Sequence, residues 1–313
     1  MILSKIKSTL VAAAIGVCSV AAQQPGNLAA LDGNVNFIVA NDLGRNGYYD
    51  QKPIAELMGT VAEQIDPEAV LALGDTHHFD GVQSISDPLW MTNYELIYSH
   101  PDLMIEWCAI LGNHEYRGNS QAVLDYANVS RRWSIPSRYY ARTWDDDGIS
   151  VKVVFLDTTT LIEKYHKKTD TYPDVYKQDA EAQLKWLDET LSAATEDWVV
   201  VVGHHPIYAY TTKPDTERAD MQKNVDTILK RHRVDMYICG HIHNFQHIRH
   251  DGSDIDYVVN SSGSLSRDVE PTEGTQFCSG ASGFSVLSAT GKSLSLYMID
   301  NNGNIIHTIT RNK

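Results

Sequence analysis

Val234-Asp235-Met236-Tyr237-Ile238-Cys239-Gly240-His241-Ile242-His243-Asn244 decides how the rest of the chain is read. A short, mostly apolar run stops at a glycine, and two histidines follow at once. Runs of this kind are what strands buried on both faces look like. Glycine lets the backbone turn sharply where such a strand ends. In an extended segment, residues two apart point the same way, so His241 and His243 share a side. The same phrase recurs upstream. Val35–Ala40 ends at Asn41-Asp42, and Ala69–Leu73 ends at Gly74-Asp75-Thr76-His77-His78. Met104–Leu111 ends at Gly112-Asn113-His114-Glu115, and Trp198–Val202 ends at Gly203-His204-His205-Pro206. Seven of the 13 histidines fall in the last four of these five segments, which random placement would not produce. Functional groups in open α/β sheets lie at the carboxyl ends of strands. These side chains are therefore expected to gather on one edge.

Between the apolar runs the sequence reads as helix. Pro53–Ile65 has a proline near its first turn. Asp179–Ala194 carries Leu184, Leu187 and Leu191 at helical spacing, and Ala219–His232 is a third helix. The run Val151–Leu156 is a further strand ending at Asp157. The tail reads as all-β, with strands over Tyr257–Asn260, Gly283–Leu287, Ser293–Ile299 and Ile305–Thr310. Asn301-Asn302-Gly303 turns between the last two. Alternating strand and helix specify an α/β protein.

The residue types at the strand ends match one another chemically. Carboxylate, amide oxygen and imidazole suit iron, zinc or manganese. No thiolate is among them, which argues against a structural zinc site. Singly, each has a plainer reading: Asp42 as a loop cap, Asn113 as a turn residue, His114 as a buried structural histidine, His241 and His243 as surface histidines. Their common position at the ends of five apolar runs is what weighs against that.

The order Asp42, Gly74-Asp75, Gly112-Asn113-His114, Gly203-His204-His205, Gly240-His241-Ile242-His243 resembles the calcineurin-like metallophosphoesterases. The wording over Gly74–Val82, Gly112–Asn119, Phe155–Leu161 and Cys239–Asn244 is similar to that of mammalian-type, tartrate-resistant purple acid phosphatases. The resemblance implies a four-layer α/β/β/α sandwich of two mixed sheets, with the β-rich tail building much of the second sheet. It implies a phosphomonoester hydrolase holding two metal ions. Asp42 and His243 would bind the first, and His204, His241 and Asn113 the second. Asp75 would bridge them, and water activated by the pair would attack phosphorus in line. His114 would hydrogen-bond the phosphate or protonate the leaving group. A phosphodiesterase or nucleotide-directed hydrolase shares this core. A protein that keeps its metals but has lost turnover is a third reading, against which the intact His114 counts.

The chain departs from that pattern twice. Those phosphatases carry a ferric-binding tyrosine three residues after the bridging aspartate, where this chain has His78. Imidazole stabilises ferric iron less, so a colourless enzyme is expected, with His78 a ligand or merely nearby. Tyr116 stands where the family has a second histidine; its far higher pKa makes it a poor acid, and an acidic optimum does not follow. Asp157 and Asn244 are candidates to orient ligand histidines. His205 either faces substrate or packs its turn. Arg117 either reaches phosphate or is an exposed arginine. Tyr48 and Tyr49 either stack on an aromatic leaving group or, the better reading, pack their loop. Substrate choice is expected to lie in loops at Asn46–Lys52, Lys164–Lys177 and Ala209–Arg218.

The remaining composition sets bounds. The 313 residues are 42% hydrophobic and 21% charged, as expected of a globular protein with one catalytic domain over 35–313. Lys5 and Lys7, an apolar run from Leu10 to Val20, and Val20-Ala21-Ala22 before Gln23 form the pattern of a secretory leader. Residues 1–22 are thus expected to be a signal peptide and 23–34 a linker, with the mature protein periplasmic or secreted. A lipid anchor at Cys18 is disfavoured by Val17 before it. Loss of Lys5 and Lys7 takes the formal charge from −14 to −16. That excess disfavours nucleic acid and anionic membranes as partners. Small phosphorylated substrates must be attracted locally. No run approaches the roughly 20 apolar residues of a membrane span. Cys108 and Cys239 lie in apolar runs and read as small buried hydrophobes.

Overall fold

The structure, a computed structural model, describes residues 27–146 and 148–313. The leader at 1–22, and residues 23–26 of the linker, lie outside the described residues. The rest of the linker is docked. Leu28 is buried, its amide donates to Gln64 Oε1 at 2.9 Å, and Asn36 Nδ2 donates to Leu31 O at 2.8 Å.

Strands β1 to β14 run in chain order over Val35–Ala40, Ala69–Ala72, Trp107–Ala109, Trp133–Ser134, Tyr140–Asp146, Ile149–Phe155, Trp198–Val202, Met236–Cys239, Phe245–Ile248, Asp256–Val259, Thr275–Ser279, Gly283–Ala289, Ser293–Asp300 and Ile305–Asn312. They form two mixed seven-stranded sheets, ordered β14-β13-β12-β1-β2-β3-β4 and β11-β9-β10-β8-β7-β6-β5. The expected sandwich is present. The sheets meet through contacts such as Phe37 against Trp144, centroids 4.8 Å apart, with helices such as Gln51–Ile65 and Ala180–Ser192 flanking them. β1, β2, β7 and β8 are buried along their whole length, which is why they read as unbroken apolar runs.

Two expectations are corrected. The tail does not go mainly to the second sheet. β12, β13 and β14 extend the first sheet, with β12 antiparallel to β1 from Val35↔Ala289 to Val39↔Ser285. Only β10 and β11 of the tail join the second. Alternation marks a strand but says nothing about its partner. The strand ends accordingly gather from two sheets, β1 to β3 in one and β7 and β8 in the other. The helix expected over Ala219–His232 is Thr216–Met221, a wide π turn over Gln222–Asp226, and Thr227–Leu229. The wide turn carries buried Asp226, which accepts from Tyr208 at 2.8 Å and Tyr257 at 2.5 Å.

A buried amide network ties the sheets together beside the strand ends. Asn260, just past β10, donates to Val39 O at 3.1 Å and Asn41 Oδ1 at 2.7 Å, and accepts from Ser285 Oγ at 2.7 Å. Asn260→Ala strands all three partners in a dry interior. It is expected to cost about 3 kcal/mol, since each buried orphan costs roughly 1–3. A urea midpoint within error of the parent's would show that the network contributes nothing.

Candidate metal centre

Seven non-glycine residues among those described have positive φ, and four of them are Asp42 (51°), Asp75 (53°), His241 (70°) and His243 (65°). Side chains rarely tolerate this left-handed region, and such strain concentrates at functional sites. Here hydrogen bonds impose it. Asp42 N donates to Gly74 O and Leu43 N to Asp75 O, both at 3.0 Å, locking the ends of β1 and β2 together. Ser262 and Ser264 hydroxyls hold Asp42 O at 2.9 and 2.8 Å. The glycines before the ligands make room. A Cβ on Gly112 would sit 2.2 Å from Asp75 Oδ1, and one on Gly240 2.6 Å from Asp42 Oδ2.

The side chains then converge. His204 Nδ1 donates to Leu73 O at 2.9 Å, which turns Nε2 to the centre, 3.1 Å from Asp75 Oδ2 and 3.2 Å from His241 Nδ1. His243 Nδ1 donates to Leu265 O at 2.6 Å, so its Nε2 faces Asp42 Oδ1 at 3.0 Å. His241 Nε2 lies 3.1 Å from Glu217 Oε2 and 2.8 Å from Lys213 Nζ. A proton on Nε2 directed at Glu217 bares Nδ1, and Lys213 then donates to His241 O at 3.3 Å.

Whether cations fit can be judged from the orphaned atoms. Asp42 Oδ1, Asn113 Oδ1 and both ring nitrogens of His78 are buried without a hydrogen-bond partner. The 3.0 Å approach of His243 to Asp42 Oδ1 is therefore out of line for a hydrogen bond. It matches the roughly 3 Å between neighbouring ligands of one ion with bonds of about 2.0–2.2 Å. Asp42, His78 and His243 can hold one cation, as can Asp75, His78 and His114, or Asp42, Asp75 and His204. His204, His205 and His241 form another such group. These overlapping sets suit a pair of ions around Asp75.

The electrostatics agree. Burial pushes the Asp42 carboxyl up, but the facing His243 reverses this and holds it well below the carboxylate range. Burial likewise opposes ionisation of Asp75, and His204 and His114 overcome it. Burial disfavours a charged His204, yet Asp75 raises it to about 9. A cation entering here would displace that proton.

The remaining candidates divide. His78 rests between His114 and His243, ring centroids 4.3 and 5.6 Å away, with Nε2 3.5 Å from Asp75. His114 Nδ1 donates to Phe79 O at 2.6 Å and Nε2 points toward Asp75, 3.8 Å off. His205 is fully buried, with Nδ1 on Thr158 Oγ1 at 2.9 Å and Nε2 on Tyr165 OH at 2.8 Å; it packs its turn and does not face a substrate. Tyr116 is turned inward by the short helix Glu115–Arg117, and its hydroxyl is spent on Asp157 and on Arg138 at 2.8 Å. Asp157 thus orients Tyr116 rather than a ligand histidine. Asn244 bonds Asp268 O at 3.2 Å and Gln246 at 2.7 Å, also away from the ligand rings. Arg117 is half-buried on the cleft wall, and Tyr48 and Tyr49 are exposed rather than packed.

Two carboxylates escaped the sequence reading. Glu217 accepts from Tyr165 OH at 2.6 Å, pairs with Lys164 and faces His241. Glu115 accepts from the amides of Asp75 and Gly112 at 2.8 Å and of His77 at 3.1 Å. Burial, then the charge of Asp75, raises its carboxyl to about 7. Glu115 adjoins Asn113-His114, but two of its three partners, Asp75 and His77, come from another strand end, so only the fold reveals the clamp. Asp75, Asn113, His114, His241 and His243 line a cleft of about 580 Å³ with Arg117, Lys164, Lys168, Lys213 and Arg267 on its walls.

Two mixed sheets presenting these donors on one rim define a phosphoester hydrolase of the dinuclear-metal class. The calcineurin-like phosphoesterase family matches residues 35–245. Purple acid phosphatase 17 of Arabidopsis thaliana is 33% identical over 243 residues, 75% of this chain and 70% of that one. Tartrate-resistant acid phosphatase type 5 of Oryctolagus cuniculus is 32% identical over 216 residues, 67% of this chain and 66% of that one. A solved structure described as GAP50, the anchor in the inner membrane complex of Plasmodium, has a TM-score of 0.77 over 89% of each chain at 23% identity, a likeness of fold. The chain belongs to the calcineurin-like phosphoesterases, in their purple acid phosphatase branch.

Glu115→Ala removes one acceptor from three buried amides. With each orphan costing roughly 1–3 kcal/mol, the loss is expected to be about 3 kcal/mol or more. Thermal unfolding checks this, and a melting temperature shift below about 3 °C would count against the clamp.

Proposed function

We propose that this chain is an exported phosphomonoesterase that holds two metal ions. Asp42, His78 and His243 would bind one, Asn113, His204 and His241 the other, and Asp75 both. The observation that carries this is the set of buried, unpartnered donor atoms on Asp42, His78 and Asn113 around Asp75. When bound, two such cations acidify water and neutralise charge on phosphoryl oxygens. Neutral imidazole at position 78 in place of phenolate favours divalent iron, zinc or manganese.

The chain's own residues supply the rest. Arg117, Lys164, Lys168, Lys213 and Arg267 gather an anion into the cleft of a strongly acidic protein. So many cations suit the dianion of a monoester better than the single charge of a diester. His114 has one ring nitrogen fixed on Phe79 O and offers the other to the cleft; burial lowers its pKa to about 4, so it would donate to a phosphoryl or leaving oxygen only where that oxygen's charge favours the protonated ring. Glu217 keeps the His241 ring aimed. Residues 1–22 carry the leader pattern that supports export. Among the described residues no helix is long and apolar enough to cross a membrane.

Protein purified without added metals is expected to contain close to two iron, zinc or manganese ions per chain. It should lack a visible phenolate–iron band and cleave an aryl monoester faster than the matching diester. Chelation should abolish turnover and metal return restore it. Turnover that survives complete chelation would sink the assignment. His114→Asn is expected to lower kcat by about 10²–10⁴-fold with metal content unchanged. Asp75→Ala should lose metal and activity together.

A further inference from the structure

Beside the metal centre, sharing Phe79 with the cationic cleft, lies a second hollow of about 460 Å³. It is lined by Arg45, Asn46, Tyr48, Tyr49, His78 and Phe79. Its rings are exposed: Tyr48 by 73%, Tyr49 by 64% and Phe79 by 61%. Single exposed aromatics are ordinary, but three around one hollow form a patch that water solvates poorly.

The loop that presents them is built to do so. Asn46 and Tyr49 hold positive φ angles of 53° and 55°. Asn46 N donates to Asn93 Oδ1 at 2.6 Å, and Arg45 N and Gly47 N share Gln51 Oε1 at 3.0 and 2.7 Å. Asp50 N donates to Ser264 O at 3.1 Å, tying the loop to the segment that also fixes Asp42. A tethered loop that displays tyrosines offers contact area at little ordering cost.

Arg45 closes the argument. It is only 7% exposed, its Nε is buried without a partner, and it forms no ion pair among the described residues. Its guanidinium lies 4.6 Å over the Phe79 ring. Asp42 and Asp75 act on it by charge without pairing with it, so its buried Nε and unpaired guanidinium have room for an incoming anion. Arg45 and His78 both line the hollow, and Phe79 lines hollow and cleft alike, so an anion on Arg45 would belong to a molecule within reach of both.

We infer that Tyr48, Tyr49 and Phe79 form a shelf for a planar aromatic ring on the leaving group of the phosphoester, with Arg45 taking an anionic oxygen of the same molecule. This rests on the phosphomonoesterase reading. Ring and phosphate then occupy adjoining hollows with Phe79 and His78 between them. The chemical class is a phosphomonoester with an aromatic leaving group, either a phenyl-bearing ester or a nucleotide.

Matched pairs test it without changing the leaving oxygen: 2-phenylethyl phosphate against propyl phosphate, and adenosine 5′-monophosphate against ribose 5-phosphate. In the metal-loaded enzyme the ring-bearing member of at least one pair should have a kcat/KM about ten-fold higher, expressed in KM, a difference that stacking accounts for. The favoured pair identifies the source of the ring. In Tyr48→Ala/Tyr49→Ala that ratio should fall to near one, with the ringless substrates within two-fold of the parent. No ring advantage in either pair, or an advantage that survives the double substitution, overturns the shelf. Calorimetry with phenylphosphonate and methylphosphonate separates this from the reading beneath it. If nothing is hydrolysed but phenylphosphonate binds tighter and the double variant loses that difference, the shelf stands and the hydrolase reading falls. Equal binding of the two phosphonates removes the shelf.

Discussion

One buried carboxylate, that of Asp75, sets the terms for the rest of the molecule. It emerges from the first sheet, meets His204 from the second at 3.1 Å, and is almost wholly removed from water. An ionised carboxylate in that position is tolerable only if positive charge is delivered to it. The protein delivers it from both sheets, which is why the strand ends must meet along one rim. Glu115 adds a further demand. It grips the Asp75 amide and so fixes the backbone, while its own charge competes with Asp75 for the same neighbourhood. A second acid packed beside the first makes sense where cations, rather than protons, are to balance the pair.

The strain follows from the same constraint. A residue continuing β1 or β8 with ordinary dihedrals would carry its side chain along the strand, away from the centre. The left-handed turns at Asp42, Asp75, His241 and His243 swing these groups across the rim instead. Each turn is held by bonds from another part of the chain: Ser262 and Ser264 on Asp42, Asp42 itself on the His241 amide at 2.8 Å. The site is a set of reciprocal restraints in which ligands position one another, so loss of one affects the direction of the next.

This explains what could be read from the sequence and what could not. The positions that converge on the rim were legible because strand, glycine and polar residue are adjacent in the chain, and burial on both faces leaves an unbroken apolar run. Side-chain direction within a short helical turn was not. Between Glu115, Tyr116 and Arg117 each step rotates the side chain by about 120°. One points to the backbone of β2's end, the next to Asp157, the third to the cleft. Nothing local distinguishes them. Glu217 was hidden because the expected helix began at Ala219 and left 217 in a loop, whereas it sits in the first turn of Thr216–Met221 and faces His241. The tail strands were found by alternation, but their pairing with β1 depends on long-range contacts that periodicity does not encode.

Charge distribution links the centre to what it can accept. The chain carries 40 acidic and 26 basic residues, yet the cleft walls gather five of the basic ones, and only Lys164 has a carboxylate partner within ion-pair reach among the described residues. A net acidic charge disfavours non-specific contact with anionic polymers. Unpaired cations inside a walled cleft act over a few ångströms, less screened than at an open surface. On the proposed reading, a small phosphorylated molecule would reach these cations more readily than a large polyanion, which must bring its charge past the exterior. Selection would then begin with where the charges sit, before any contact with the leaving group is made.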